Sequence, residues 1–159
     1  MWKMLEIIEG DITKMHADVI VNAANFRLKQ GGGVCGAIFR AAGASNLRHA
    51  CKEIGYCKTG EAVITPGFNL SKYIIHTPGA KWSGGHNDEL DLLKKCYENS
   101  LKLAAQSDCK SIAFPLISAG IYGCPKDIAL QIAKEAINEF LSKSGSNIKV
   151  YLVIKKMRL

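Results

Sequence analysis

The 159-residue sequence has no stretch approaching the ~20 consecutive apolar residues that a membrane-spanning helix requires. Glu6 and Glu9 interrupt its start before the apolar core of a signal peptide could form. A cytoplasmic protein with no membrane partner is therefore expected. CxxC pairs are absent as well. The six cysteines, at positions 35, 51, 57, 96, 109 and 124, should be free thiols that act mostly as small buried apolar groups. His49, Cys51 and Cys57 lie close in sequence, but their spacing matches no common zinc pattern, and no metal is expected. The formal charge is +7, yet there is no run of five or six lysines and arginines. Such a charge favours polyanionic partners. By itself it does not separate a nucleotide, a nucleic acid and a merely solvated basic surface. Internal repeats, linkers and low-complexity segments are also missing, which predicts one domain over residues 1–159.

What is present is a globular composition, 48% apolar and spread along the chain. Leu5 to Glu9 reads as a first strand, followed by the turn-rich Gly10-Asp11-Ile12-Thr13. Ala17 to Ala24 has the short, β-branched character of a buried strand. After Gly31–Gly33, the spacing of Ala37, Ile38, Ala41 and Ala42 predicts a helix, and a second short helix is expected over 46–54. Strands are predicted over 61–65 and 73–76, each followed by a Pro-Gly breaker. Leu90, Leu93, Tyr97, Leu101 and Ala104 share one face of a helix over about 88–106. A strand at 111–117 follows, then a last helix begun at Pro125, where a missing N–H costs nothing, and a closing strand at 149–154. Alternating strands and helices predict an α/β layered domain with a largely parallel sheet.

In such a sheet, ligands bind beyond the carboxyl ends of the strands. Two glycine-rich loops fall there: Asn25 to Gly36, after the second strand, and Ser118-Ala119-Gly120-Ile121-Tyr122-Gly123, after the strand at 111–117. Glycine lets backbone N–H groups approach an anion, and a helix N-terminus adds a favourable dipole. Two such loops on one sheet edge could clamp a diphosphate from both sides. Gly31, Gly33 and Gly36 spell G-x-G-x-x-G, but several residues past the strand rather than at its end, and no P-loop lysine pattern occurs. Nicotinamide dehydrogenase chemistry is disfavoured.

Gly10-Asp11-Ile12-Thr13, Val21-Asn22-Ala23-Ala24-Asn25, Gly31-Gly32-Gly33-Val34 and Ser118 to Gly123 occur in the order and at about the spacing of macro domains. His76-Thr77-Pro78-Gly79 and Phe114-Pro115-Leu116-Ile117 also resemble that family. The resemblance covers essentially the whole chain and is nearest to MacroD-type enzymes and viral macro domains. It implies a three-layer α/β/α fold with a mixed, largely parallel central sheet, and a pocket for ADP-ribose. It implies that Asp11 accepts from the adenine amine and that the Ile12 N–H donates to a ring nitrogen. Asn25 would hydrogen-bond the distal ribose, since its amide donates and accepts at once. Gly32, Gly33 and Val34 would contact the distal ribose and diphosphate, with Cys35 beside them. Ser118, Ala119, Gly120, Ile121 and Tyr122 would form the other half of the clamp, Tyr122 lying along the distal ribose. Asn25, Gly33 and Tyr122 are the residues to which this resemblance gives a part in catalysis. The residues alone leave blander alternatives: a turn at Asp11, an Asx-turn at Asn25, an aromatic at the core edge at Tyr122.

One position departs from the family. MacroD-type enzymes carry an aspartate after Gly-Gly-Val, where this sequence has Cys35, and often a histidine where it has Phe39. A neutral thiol is a poor general base. The resemblance to viral macro domains implies another route, with a water held between the ligand's own phosphate and backbone groups attacking the distal ribose. Hydrolysis of mono-ADP-ribosyl esters on Asp or Glu, or of O-acetyl-ADP-ribose, is the expected activity, with no cofactor. The expected partners are ADP-ribose and ADP-ribosylated proteins, with weak nucleic-acid or poly-ADP-ribose binding compatible with the basic surface. A non-catalytic ADP-ribose reader and a basic RNA- or adenylate-binding module are the alternatives. Adenine is expected to pack on aliphatic stems near Ile154 to Arg158, because no aromatic follows Tyr151.

Overall fold

The β-branched and apolar runs form six strands: β1 (Leu5–Glu9), β2 (Val19–Ala24), β3 (Val63–Pro66), β4 (Tyr73–Pro78), β5 (Ser111–Pro115) and β6 (Lys149–Ile154). Between them lie α1 (Gly33–Ala42), α2 (Ala44–Ile54), α3 (Glu89–Gln106) and α4 (Lys126–Ser144). The computed structural model describes residues 4–155. Of the stretch expected to offer stems to adenine, Lys156, Met157 and Arg158 thus lie outside the described residues. The sheet order is β1-β6-β5-β2-β4-β3. Every neighbouring pair is parallel except β3 with β4. This is the mixed, largely parallel sheet expected from the sequence.

Period-two alternation places the side chains in two separate cores. Val19, Val21, Ile75, Ile112, Phe114, Val150 and Leu152 face α3 and α4, while Ile20, Ile74, Ala113 and Val153 face α1 and α2. All of these are buried. Each large side chain so buried contributes about 1.5–3 kcal/mol. Three layers result. The six cysteines are buried free thiols, as expected. Among the described residues no helix is long and apolar enough to cross a membrane.

Most predicted elements recur within a residue or two, and one of the shifts is informative. β5 stops at Pro115 rather than Ile117. The cause is Tyr97, fully buried on α3: its hydroxyl accepts the Ile117 N–H at 3.1 Å and donates to the Pro115 carbonyl at 3.3 Å. Those backbone groups pair with a side chain instead of a ladder partner, and the chain turns into the next loop. On α4, Ala129, Ala133, Ala136 and Ile137 are buried, whereas Ile132, Phe140 and Leu141 are only partly covered.

Because the sheet is largely parallel, the loops that follow Glu9, Ala24, Pro78, Pro115 and Ile154 all leave from one edge.

Candidate functional site

The loop from β2 to α1 is held largely by its own side chains. The Asn25 amide donates to the Lys29 carbonyl at 2.8 Å and accepts the Lys29 N–H at 3.1 Å, so both ends of the group close the turn. Leu28 is buried in left-handed backbone (φ 57°) and anchors the loop beneath. Arg48 on α2 donates to the Gln30 amide oxygen at 2.9 Å. Gly36 has to be glycine: a Cβ there would lie 2.6 Å from the Gly31 carbonyl oxygen. α1 starts at Gly33 with no side chain capping it, which leaves its first N–H groups without intrahelical acceptors. The positive end of the helix therefore opens where the loop ends.

The loop from β5 to α4 is braced from outside. Ser118 sits in left-handed backbone (φ 68°) and donates to the Ala80 carbonyl at 3.0 Å. Its own carbonyl accepts the Cys124 N–H at 2.9 Å. The Trp82 N–H donates to the Tyr122 carbonyl at 2.8 Å, and the Lys81 ammonium stands 5.9 Å from the centre of the Tyr122 ring. At Gly79 any side chain would run into the Ser118 hydroxyl and stand 2.8 Å from the Ile117 methyl. The bracing segment is organised in turn by Glu89, buried in the first turn of α3, whose carboxylate accepts the N–H groups of Ser83, Gly85 and Asn87. Burial pushes its pKa up, but these hydrogen bonds outweigh it and hold the group down at about 2.

Between the two loops lies a cleft of about 480 Å³, floored by the ends of β2, β5 and β6. That is within the range of ~300–1,000 Å³ common for small-molecule sites. Asn25, Gly32, Gly33, Val34, Cys35, Ser118, Ala119, Gly120, Ile121 and Tyr122 all line it, so ten of the residues singled out in the sequence meet there. Ile121 is 83% exposed and reaches across the opening; a Cβ on Gly32 would be 3.9 Å from its terminal methyl. Asp11 and Ile12 do not line the cleft. Ile12 is buried, and Asp11 caps a single 3-10 turn, accepting the N–H and hydroxyl of Thr13 at 2.9 and 2.7 Å. Those bonds lower its pKa.

The lining residues include no Asp, Glu or His. Among the described residues, the formal charges lining it are the ammonium groups of Lys126, at the start of α4, and Lys155, after β6. With two glycine-bordered loops, the cleft is built for an anion and carries no side-chain carboxylate or imidazole to act as a base. Cys35 is buried in the first turn of α1, its thiol 3.8 Å from the Lys29 carbonyl. The one buried histidine near this region serves the sheet. His76 Nδ1 accepts from the Asn22 amide at 3.1 Å, so Nε2 carries the ring proton and faces the Thr65 hydroxyl at 3.0 Å. Burial depresses its pKa to about 4, and it stays neutral. His49 turns instead to Glu53 at the surface, 3.2 Å away, while Cys51 and Cys57 are buried.

The comparisons with known proteins agree with this geometry. The family model for the macro domain matches residues 21–133. The O-acetyl-ADP-ribose deacetylase of Salmonella newport is 48% identical over 158 residues, covering 96% of this chain and 88% of that protein. The Oceanobacillus iheyensis macrodomain, solved with ADP, superposes with a TM-score of 0.89 at 42% identity, over 97% of this chain and 84% of that one. The Trypanosoma brucei macrodomain, solved in complex with ADP-ribose, gives a TM-score of 0.87 at 37% identity, over 96% and 63% respectively. A three-layer fold with its cleft between two glycine loops at the carboxyl edge of the sheet defines the class. This chain belongs to the macro domain family.

Gly79 and Lys126 line the cleft but were not singled out as site residues from the sequence, while Lys155 falls in the stretch expected to offer stems to adenine. Gly79 stands in a Pro-Gly pair, which reads equally well as a breaker. Lys126 follows Pro125 at the start of the helix that the second loop enters, and this position was the available signal. Glu89 gave none, because an acidic residue in a first turn is ordinary helix chemistry.

Proposed function

We propose that the cleft binds ADP-ribose, and that the protein hydrolyses mono-ADP-ribosyl esters of Asp or Glu, or O-acetyl-ADP-ribose. The observation that carries this reading is the pair of loops facing each other across one cleft, with an uncapped helix N-terminus and a lysine bordering it. Backbone N–H groups from both loops would hold the diphosphate. Asn25 and the Gly32–Val34 segment would hold the distal ribose, with Tyr122 along its other side. The adenine would lie towards the β6 end, near Ile154 and the stem of Lys155, where Asp11 and the Ile12 N–H follow the neighbouring strand β1. The relatives support the ligand and, at a coarser level, the reaction: one is named an O-acetyl-ADP-ribose deacetylase.

With no carboxylate or imidazole lining the cleft, the attacking water is oriented by a ligand phosphate oxygen and backbone groups. For an aspartyl or glutamyl ester, the water oxygen bonds to the anomeric carbon of the distal ribose. The bond from that carbon to the carboxylate oxygen breaks, and its electron pair leaves with the carboxylate. The water proton passes to phosphate or solvent. The products are free ADP-ribose and the unmodified side chain. A carboxylate leaves without strong acid assistance, so the missing side-chain acid is tolerable for esters and would not be for an arginine N-glycoside. The same absence of a base favours a second reading, in which the cleft binds ADP-ribose without cleaving it.

The test is loss of label from a protein carrying ADP-ribose on Asp or Glu, with wild type, Asn25→Ala and a no-enzyme control. Release by wild type that is slowed strongly in the variant supports the hydrolase. No release, alongside calorimetric binding of ADP-ribose, supports the reader. Neither release nor binding contradicts both.

A further inference from the structure

We infer that an exposed apolar patch beside the cleft, built on Phe26, Ile54 and Tyr56, docks the polypeptide that carries the ADP-ribose and favours acidic segments of it. This rests on the ester hydrolysis proposed above. Among the described residues six large apolar side chains are exposed, and three of them fall in this patch: Phe26 at 54%, Ile54 at 38% and Tyr56 at 62%. The Cys57 N–H donates to the Phe26 carbonyl at 2.8 Å, which lays the segment after α2 alongside the loop after β2. Leu28 and Cys57 are buried on these two segments and fix them from below, while Phe26 and Tyr56 are left to solvent. A rigid base under outward aromatics is the arrangement of a recognition surface rather than of a loose loop.

Position and charge identify the occupant. Phe26 directly follows Asn25, at the end of the cleft assigned to the distal ribose. Whatever the ribose is esterified to must leave the cleft there, and for an aspartyl or glutamyl ester that is a polypeptide. The Arg27 guanidinium lies over the Phe26 ring, 5.3 Å from its centre, and Lys29 and Lys58 on the same segments and Lys52 in the last turn of α2 are exposed. The acids there are Glu53, already engaged by His49, and Glu61. Four cations against two acids give a local field that attracts an acidic chain. Aromatics with cations also suit a nucleic acid, but the ester linkage puts a protein at this mouth.

The experiment compares two substrates of one enzyme: a protein modified on an acidic segment, and O-acetyl-ADP-ribose, which is too small to reach the patch. Phe26→Ala/Tyr56→Ala and Arg27→Ala should each lower kcat/KM on the protein by about tenfold, the size of loss expected for truncating an anchor. Turnover of O-acetyl-ADP-ribose and the calorimetric Kd for ADP-ribose should stay within about twofold, which also shows the variants are folded. Raising salt from ~0.05 to ~0.3 M should depress the protein reaction more than turnover of O-acetyl-ADP-ribose. Equal losses on both substrates, or no loss on either, would overturn this inference alone. So would a loss confined to binding of a single-stranded oligonucleotide. Wild type turning over neither substrate would overturn the hydrolase reading and this inference with it.

Discussion

The two loops that border the cleft are held in opposite ways. The one after β2 is tied mostly by its own residues: Asn25 clasps Lys29 and Leu28 plugs the core, while Arg48 and the Cys57 N–H reach in from α2 and the segment after it. The one after β5 depends on groups distant in sequence. Tyr97 turns the strand, Ala80 and Trp82 hold Ser118 and Tyr122, Gly79 allows the close approach, and Glu89 shapes the segment that does the holding. A ligand clamped between them would meet one jaw set by local sequence and one set by tertiary packing. Changes far from the cleft should therefore weaken binding through the second jaw, and changes to the first should act from inside the cleft.

The largest effect is expected at Asn25, because its amide both closes the first loop and faces the proposed distal ribose. Asn25→Ala should lower ester hydrolysis by about 100-fold or more, as misplacement of a reacting group does, measured as ADP-ribose release. Gly79→Ala comes next. Its methyl would press on Ser118 and Ile117, costing about 1–3 kcal/mol of stability. ADP-ribose affinity should fall about tenfold, as ~1.4 kcal/mol of lost binding gives, with thermal unfolding and calorimetry as the readouts. Unchanged affinity in a destabilised protein would break the comparison, since the second loop would then not need its brace. Tyr97→Phe should act in the same direction but less, leaving a buried N–H and carbonyl unpaired at a cost of about 1–3 kcal/mol.

Acid should separate the two regions by pH window. His76, packed against Asn22 on the strand that leads to Asn25, has a folded pKa near 4 against an ordinary 6.5. Its contribution to stability is full above the higher value and is lost as pH falls from about 6.5 towards 4. Glu89, behind the second loop, is held at about 2 against an ordinary 4.5, so its contribution is lost as pH falls from about 4.5 towards 2. Denaturant titrations should show the upper slope flattened in His76→Gln and the lower one in Glu89→Gln. The lower flattening should be partial, because Glu139, bonded to Lys143 and Lys94, is held at about 2 as well. The smallest effect is expected for Cys35→Ala, which should leave hydrolysis within about threefold, as removal of an inert thiol would. A loss on the scale of Asn25→Ala would make the thiol a chemical participant and not a lining group.

The same contrast explains what was legible in the sequence. The first loop declares itself: the Gly31–Gly33 run, the strand before it and the helical spacing after it are all local, and local rules find them. The buried, β-branched character of the strand within 17–24 was equally local, and Val19, Ile20 and Val21 are all buried in it. The end of β5 was missed by two residues because the cause, the Tyr97 hydroxyl, lies 20 positions away from Ile117. Glu89 and Gly79 were missed as site supports for the same reason, since their partners come from other elements. Asp11 shows the converse. Its local signal was a turn, and in the structure its carboxylate caps one, outside the lining of the cleft.

The most direct test of the central claim is hydrolysis of an ADP-ribosyl-aspartate or ADP-ribosyl-glutamate protein by wild type in water enriched in oxygen-18. Attack at the anomeric carbon of the distal ribose, rather than at the ester carbonyl, predicts release of ADP-ribose with the freed carboxylate unlabelled. Heavy oxygen in the carboxylate, or no release at all, would contradict it.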